Sequence, residues 1–205
     1  MALKTVVKVS GITNLSDARY CAGMGVEFLG FSPEPNTPHF TELSKYKEII
    51  GWVSGIKFVG ELTKFPPNNL SEYNFDALQI NNITLLPVLK KFEKPIFLEV
   101  NLIQKTDIPA FEKTAQKYKN DVSYFLLKST ELPIDEVTET LKKLCAEFPI
   151  ILDFEGITPE NTSEILRKIQ PKGVGLQGGE EVSPGLRDFE GLADMLEALE
   201  EEEVW

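Results

Sequence analysis

Several polar residues interrupt apolar runs at spacings that could carry chemistry. Lys8 and Ser10 close the first such run, and Glu61, Gln79, Glu99, Lys128 and Asp153 each stand within or at the end of another. If these runs are strands, side-chain alternation turns all seven toward one side. Two lysines and three carboxylates would then share one mouth. One reading is a satisfied ion-pair network, since buried charges persist when paired. The other makes Lys128 a catalyst. A lysine near another cation or in an apolar site loses its proton readily and attacks a carbonyl to form a Schiff base. Asp153, Glu155 or Glu61 would then move protons. Gly178 and Gly179 follow the last run, and their backbone could present N–H groups to an anion or simply form a tight turn. Both readings stand.

The elements that must position these groups follow from patterning. The chain has 205 residues, 42% of them apolar and 26% charged, within the range of ordinary globular proteins. Short β-branched or aromatic runs recur at Thr5–Ser10, Glu27–Ser32, Gly55–Glu61, Phe75–Ile80, Pro95–Asn101, Ser123–Ser129, Pro149–Phe154 and Gly173–Gln177. Helical periodicity separates most of them, the mark of parallel βα units. Asn14 with Asp17 resembles a capping box, Thr158 before Pro159 reads as a helix cap, and Gly23 with Gly25 ends the first helix. Lys64 to Asn69 reads as a loop and short helix after the third strand. Eight strands in this length predict a single (β/α)8 barrel spanning 1–205, with its reacting groups at the C-terminal strand ends.

The formal charge of −11 argues against nucleic acid or an anionic membrane as partner. No apolar window is long enough for a membrane span, and the first residues do not resemble a secretory signal, so a cytoplasmic location is expected. Part of the acidity lies at about 197–205, read as a solvated helix end. Cys21 and Cys145 read as buried thiols, and Trp52 and Trp205 as core or tail packing. No Cys and His spacing suits a metal, and no cofactor is expected.

Val7-Lys8-Val9-Ser10-Gly11-Ile12-Thr13-Asn14, Asp17-Ala18, Leu29-Gly30-Phe31 and Thr37-Pro38-His39 follow one another in an order that resembles the phosphoribosylanthranilate isomerase family, whose pattern runs V-K-I-C-G-I-T-N, D-A, L-G-F and S-P-R. Asp76-Ala77-Leu78-Gln79 resembles its D-x-x-Q strand, Thr158-Pro159-Glu160-Asn161 its T/N-P-E-N helix start, and Ser183-Pro184-Gly185-Leu186-Arg187-Asp188 its S-P-G-x-K-D segment. The resemblance implies the barrel fold and an Amadori rearrangement of an aminoaldose phosphate to an aminoketose. It also implies a general base at position 10, a general acid at 128, a carboxylate-binding residue at 39 and a phosphate cradle near 154–155 and 178–179.

At these positions the chain departs from the pattern. Ser10 replaces the family's cysteine, and its hydroxyl is a far weaker acid than a thiol. Lys128 replaces an aspartate, His39 an arginine and Gly175 an aspartate, while Phe154 and Glu155 stand where paired glycines are expected. Loss of one positioned acid or base costs about 10²- to 10⁴-fold in rate. The expected function is therefore an isomerase-like barrel with weak or no isomerase activity. Ser10, Lys128, Asp153 and Glu155 are its candidate catalytic residues, and Lys8, His39, Gln79, Gly178 and Gly179 would hold a small ligand, with phosphorylation left open. Two alternatives remain: carbonyl chemistry at Lys128, to which aldolase barrels with a sixth-strand lysine offer a positional parallel, and noncatalytic binding of a metabolite or of a partner at the acidic last helix. The sequence leaves the oligomeric state open.

Overall fold

A computed structural model describes residues 2–178, 180–183, 186–188 and 190–200. Eight parallel strands close into a barrel: β1 Val6–Ser10, β2 Phe28–Phe31, β3 Lys57–Leu62, β4 Ala77–Ile80, β5 Ile96–Asn101, β6 Tyr124–Ser129, β7 Ile150–Phe154 and β8 Gly173–Gln177. β8 returns to β1 in the register Lys8 to Gly175 and Ser10 to Gln177, which seals the ring. These are the eight runs marked by sequence, with small shifts at their ends. A closed ring leaves no unpaired strand edge and fixes which residues face the axis.

The helices follow the strands as α1 Leu15–Gly23, α2 Leu43–Ile50, α3 Leu70–Tyr73, α4 Leu86–Leu89, α5 Ile108–Tyr118, α6 Thr138–Glu147, α7 Thr162–Ile169 and α8 Glu190–Ala198. The Asn14 side chain accepts from the Asp17 N–H at 2.9 Å, so α1 starts where its cap predicts. It stops at Gly23, and Gly25 adopts φ +82°, a conformation that favours glycine. Thr158 opens the turn that leads into α7: its N–H donates to the Asn161 side chain at 2.8 Å and its carbonyl accepts from the Thr162 N–H at 2.9 Å, with the regular helix starting at Thr162. A short antiparallel pair, β9 Glu180–Ser183 and β10 Leu186–Asp188, precedes α8.

Helix stripes cover the outward strand faces: Ala18 and Cys21 of α1, Tyr46 and Ile49 of α2, Leu141 and Leu144 of α6, and Ile165 and Ile169 of α7 are buried. Trp52 departs from its expected place, being 69% exposed just past α2. No described helix is long and apolar enough to cross a membrane. Of the acidic end, Glu197 and Glu200 lie among the described residues, whereas positions 201–205 lie outside them.

Inside the ring two layers divide by chemistry. Phe28, Val59, Ala77, Phe97, Leu126 and Ile151 form a separate apolar cluster, with Tyr124 stacked on Phe97 at 4.7 Å. One strand repeat further along, the inward positions are Lys8, Gly30, Glu61, Gln79, Glu99, Lys128, Asp153 and Gly175. The apolar layer closes the floor under these polar groups and keeps water from reaching them from below.

Candidate functional site

The polar layer opens into a cleft of about 340 Å³ at the C-terminal strand ends. Ser10, Glu61, Gln79, Glu99 and Lys128 line its depth, and Ser32, Asn36, Thr37, His39, Thr63, Lys64 and Gln177 line its rim. Thus β1, β3, β4, β5 and β6 each deliver one of the polar residues predicted to share a mouth.

One half of the floor is an ordered network. The Lys8 ammonium, 0% exposed, donates to Glu61 Oε1 at 2.6 Å and to Ser10 Oγ at 2.7 Å. The Gly11 N–H donates to Glu61 Oε2 at 3.1 Å. Burial pushes the Glu61 carboxyl up, but the Lys8 ammonium and the Gly11 N–H outweigh it and hold the group below its ordinary value. Glycine at position 30 makes room for this pair, since a Cβ there would stand 1.9 Å from Glu61 Oε1.

The other half is less saturated. Lys128 Nζ lies 3.5 Å from Asp153 Oδ2, an ion-pair separation beyond a well-formed hydrogen bond. Burial pulls the Lys128 ammonium down, yet Asp153 and Glu99 together raise it above its ordinary value of 10.5. Burial pushes the Glu99 and Asp153 carboxyls up by more than Lys128 draws them down. Gln79 donates its amide to Glu99 Oε2 at 2.8 Å. Its carbonyl oxygen is buried without a hydrogen-bond partner, as is Asp153 Oδ2. Gly175 accommodates Asp153, because a Cβ at 175 would lie 2.8 Å from the Asp153 Cβ.

The remaining predicted site residues divide. His39 is half-buried on the rim against Gly11. Gly178 donates its N–H to the Ser10 carbonyl at 2.8 Å, so that amide is committed within the barrel. Gly179 lies outside the described residues. Glu155 is exposed just beyond β7 and is not among the residues lining the cleft, and Phe154 points outward into the core.

One residue escaped the sequence reading. Glu34, only 4% exposed, accepts from the Thr63 N–H at 2.9 Å, the Thr63 hydroxyl at 2.6 Å and the Lys64 N–H at 2.8 Å. It ties the loop after β2 to the loop after β3 and so fixes two walls of the cleft. Its place between Pro33 and Pro35 marks a loop, but nothing local points to Thr63. Glu34→Ala is expected to cost about 1–3 kcal/mol and to speed amide exchange at Thr63 and Lys64. Unchanged protection of those two amides would show that the tie does not order the rim.

No family model matches the chain. The N-(5'-phosphoribosyl)anthranilate isomerase of Aquifex aeolicus is 27% identical to it over 96% of this chain and 98% of its own length. The enzyme of that name from Petrotoga mobilis is 27% identical over 94% and 96%. Among solved structures, phosphoribosyl anthranilate isomerase from Thermotoga maritima superposes with a TM-score of 0.76 at 20% identity, covering 95% of this chain and 98% of its own. A phosphoribosyl anthranilate isomerase in complex with reduced 1-(o-carboxyphenylamino)-1-deoxyribulose 5-phosphate gives a TM-score of 0.74 at 20% identity and the same coverage. The structural likeness is one of fold, and the sequence relatives share nearly the full length.

Proposed function

We propose that the chain is a divergent barrel of the phosphoribosylanthranilate isomerase family, with a small-metabolite cleft and weak or no isomerase activity. The state of Ser10 carries this reading. Its hydroxyl accepts from the Lys8 ammonium. The adjacent Glu61 carboxylate is ion-paired and held below its ordinary value, which makes it a weak base for extracting a hydroxyl proton. At the position implied for the acid, Lys128 is an ammonium that two carboxylates stabilise, and it gives up its proton reluctantly. The fold and the relatives support descent, while these residues support the loss of chemistry.

The test pairs two measurements on the unmodified chain. Turnover of N-(5'-phosphoribosyl)anthranilate, followed by its fluorescence, is expected to stay near the uncatalysed rate. Titration with reduced 1-(o-carboxyphenylamino)-1-deoxyribulose 5-phosphate, seen bound to a structural relative, reports whether the cleft still accepts that skeleton. Robust turnover would overturn the proposal.

Carbonyl chemistry at Lys128 has weaker support. A Schiff base needs the neutral amine, and Asp153 and Glu99 hold the Lys128 ammonium above its ordinary value, which disfavours that form at neutral pH. Borohydride treatment with a panel of aldehydes and keto acids is expected to leave Lys128 unmodified at neutral pH. An adduct mapped to Lys128 under those conditions would reinstate the aldolase-like reading. Docking through the acidic last helix rests largely on residues outside the described ones.

A further inference from the structure

The floor of the cleft holds more acceptors than it satisfies. Gln79 is 5% exposed and lines the cleft, and with its amide committed to Glu99, its carbonyl oxygen has no partner. Asp153 Oδ2, also buried, has only the long ion pair with Lys128 at 3.5 Å. Lys8 cannot relieve either, because it is engaged by Ser10 and Glu61. Unsatisfied buried acceptors are costly, and a bound molecule that supplies donors removes the cost. In this half of the layer two carboxyls, Glu99 and Asp153, face one ammonium, Lys128. That imbalance favours a cation among the donors. Lys128 is about one-third exposed, and its contact with Asp153 is long at 3.5 Å, which leaves N–H groups of the ammonium to donate to a ligand oxygen. Hydroxyl groups answer both needs, since each gives one hydrogen bond and accepts others.

The described residues around the cleft disfavour a phosphate on the same ligand. The Gly178 N–H is already given to the Ser10 carbonyl at 2.8 Å. A net charge of −11 also repels an approaching dianion and draws in a cation.

We infer that the cleft binds an unphosphorylated amino-polyol, its ammonium and hydroxyl protons meeting Gln79 Oε1 and Glu99, and a hydroxyl oxygen meeting Lys128. This rests on the reading of the cleft as a metabolite site with little isomerase chemistry. It names the class of metabolite.

Calorimetric titration of the full chain at pH 7 with D-glucamine, D-glucitol and D-glucitol 6-phosphate tests it. The three share one carbon skeleton and differ in charge. The expected order of affinity is glucamine, then glucitol, then the phosphate ester, with at least about tenfold between the first and the last. Glu99→Gln is expected to weaken glucamine by about tenfold and to leave glucitol within about threefold. Tighter binding of the phosphate ester, equal binding of all three, or no heat from any at millimolar concentration overturns the inference. If the phosphate ester wins without isomerase turnover, the ligand class alone fails. If N-(5'-phosphoribosyl)anthranilate is turned over robustly, the underlying reading fails with it.

Discussion

Replacing Glu61 with alanine is expected to lower unfolding free energy by about 3–5 kcal/mol, the cost of stranding one member of a buried ion pair. Lys8 would keep its charge in a site 0% exposed, with the Ser10 hydroxyl as its remaining hydrogen-bond partner among the described residues. At about 2–4 °C per kcal/mol for a chain of this size, the melting temperature should fall by roughly 10 °C. The double replacement Lys8→Met and Glu61→Leu removes both charges and should recover most of the loss, because a buried pair adds little over apolar residues of similar volume. Thermal unfolding of the two variants decides the matter. A melting temperature for Glu61→Ala within a degree or two of the parent would mean that water already solvates Lys8. Acid tests the same pair. The Glu61 carboxyl is held below its ordinary 4.5, so the stability it contributes is present above that value and is lost as pH falls through its folded value. Glu61→Ala should lack that part of the acid unfolding.

The strands were legible because each is a short β-branched or aromatic run, and strand parity alone put Lys8, Ser10, Glu61, Gln79, Glu99, Lys128 and Asp153 on the axis. The barrel then had only to close for these groups to meet. What parity does not encode is which charge pairs with which. Lys8 chose Glu61 across β2, a contact that depends on the missing side chain of Gly30. Glycine in a strand signals close approach, but not what approaches. Gly175 is similar: its departure from the family pattern is visible in sequence, whereas its packing against Asp153 is not. Glu155 lies one residue beyond β7, where parity no longer holds: the chain turns at 155–156 and leaves its carboxylate exposed. Loop residues escape parity altogether, which is why Glu34 could not be found before its partners in the next loop were known.

Restoring the implied acid and base together is expected to raise isomerase turnover by at least about 10²-fold over either single variant, since each positioned group is worth about 10²- to 10⁴-fold. Ser10→Cys alone supplies a better nucleophilic acid–base group, and the neighbouring Lys8 ammonium favours its thiolate. It still lacks a proton donor opposite. Lys128→Asp supplies that donor in an unusual setting. The new carboxyl would join Glu99 and Asp153, both already pushed up by burial, and removal of the ammonium that opposes them raises all three further. One of the three would then stay protonated toward neutral pH, as a general acid must. The pH profile of the double variant should therefore fall on its alkaline side as that proton is lost. Turnover assays of the parent, both single variants and the double variant separate the outcomes. A gain confined to the double variant means that the scaffold still positions the substrate and only the two reacting groups were exchanged. A silent double variant that still binds the reduced product analogue would place the loss elsewhere in the chemistry. One that no longer binds it would place the loss in the rim, where His39 stands in for the arginine that the family resemblance implies.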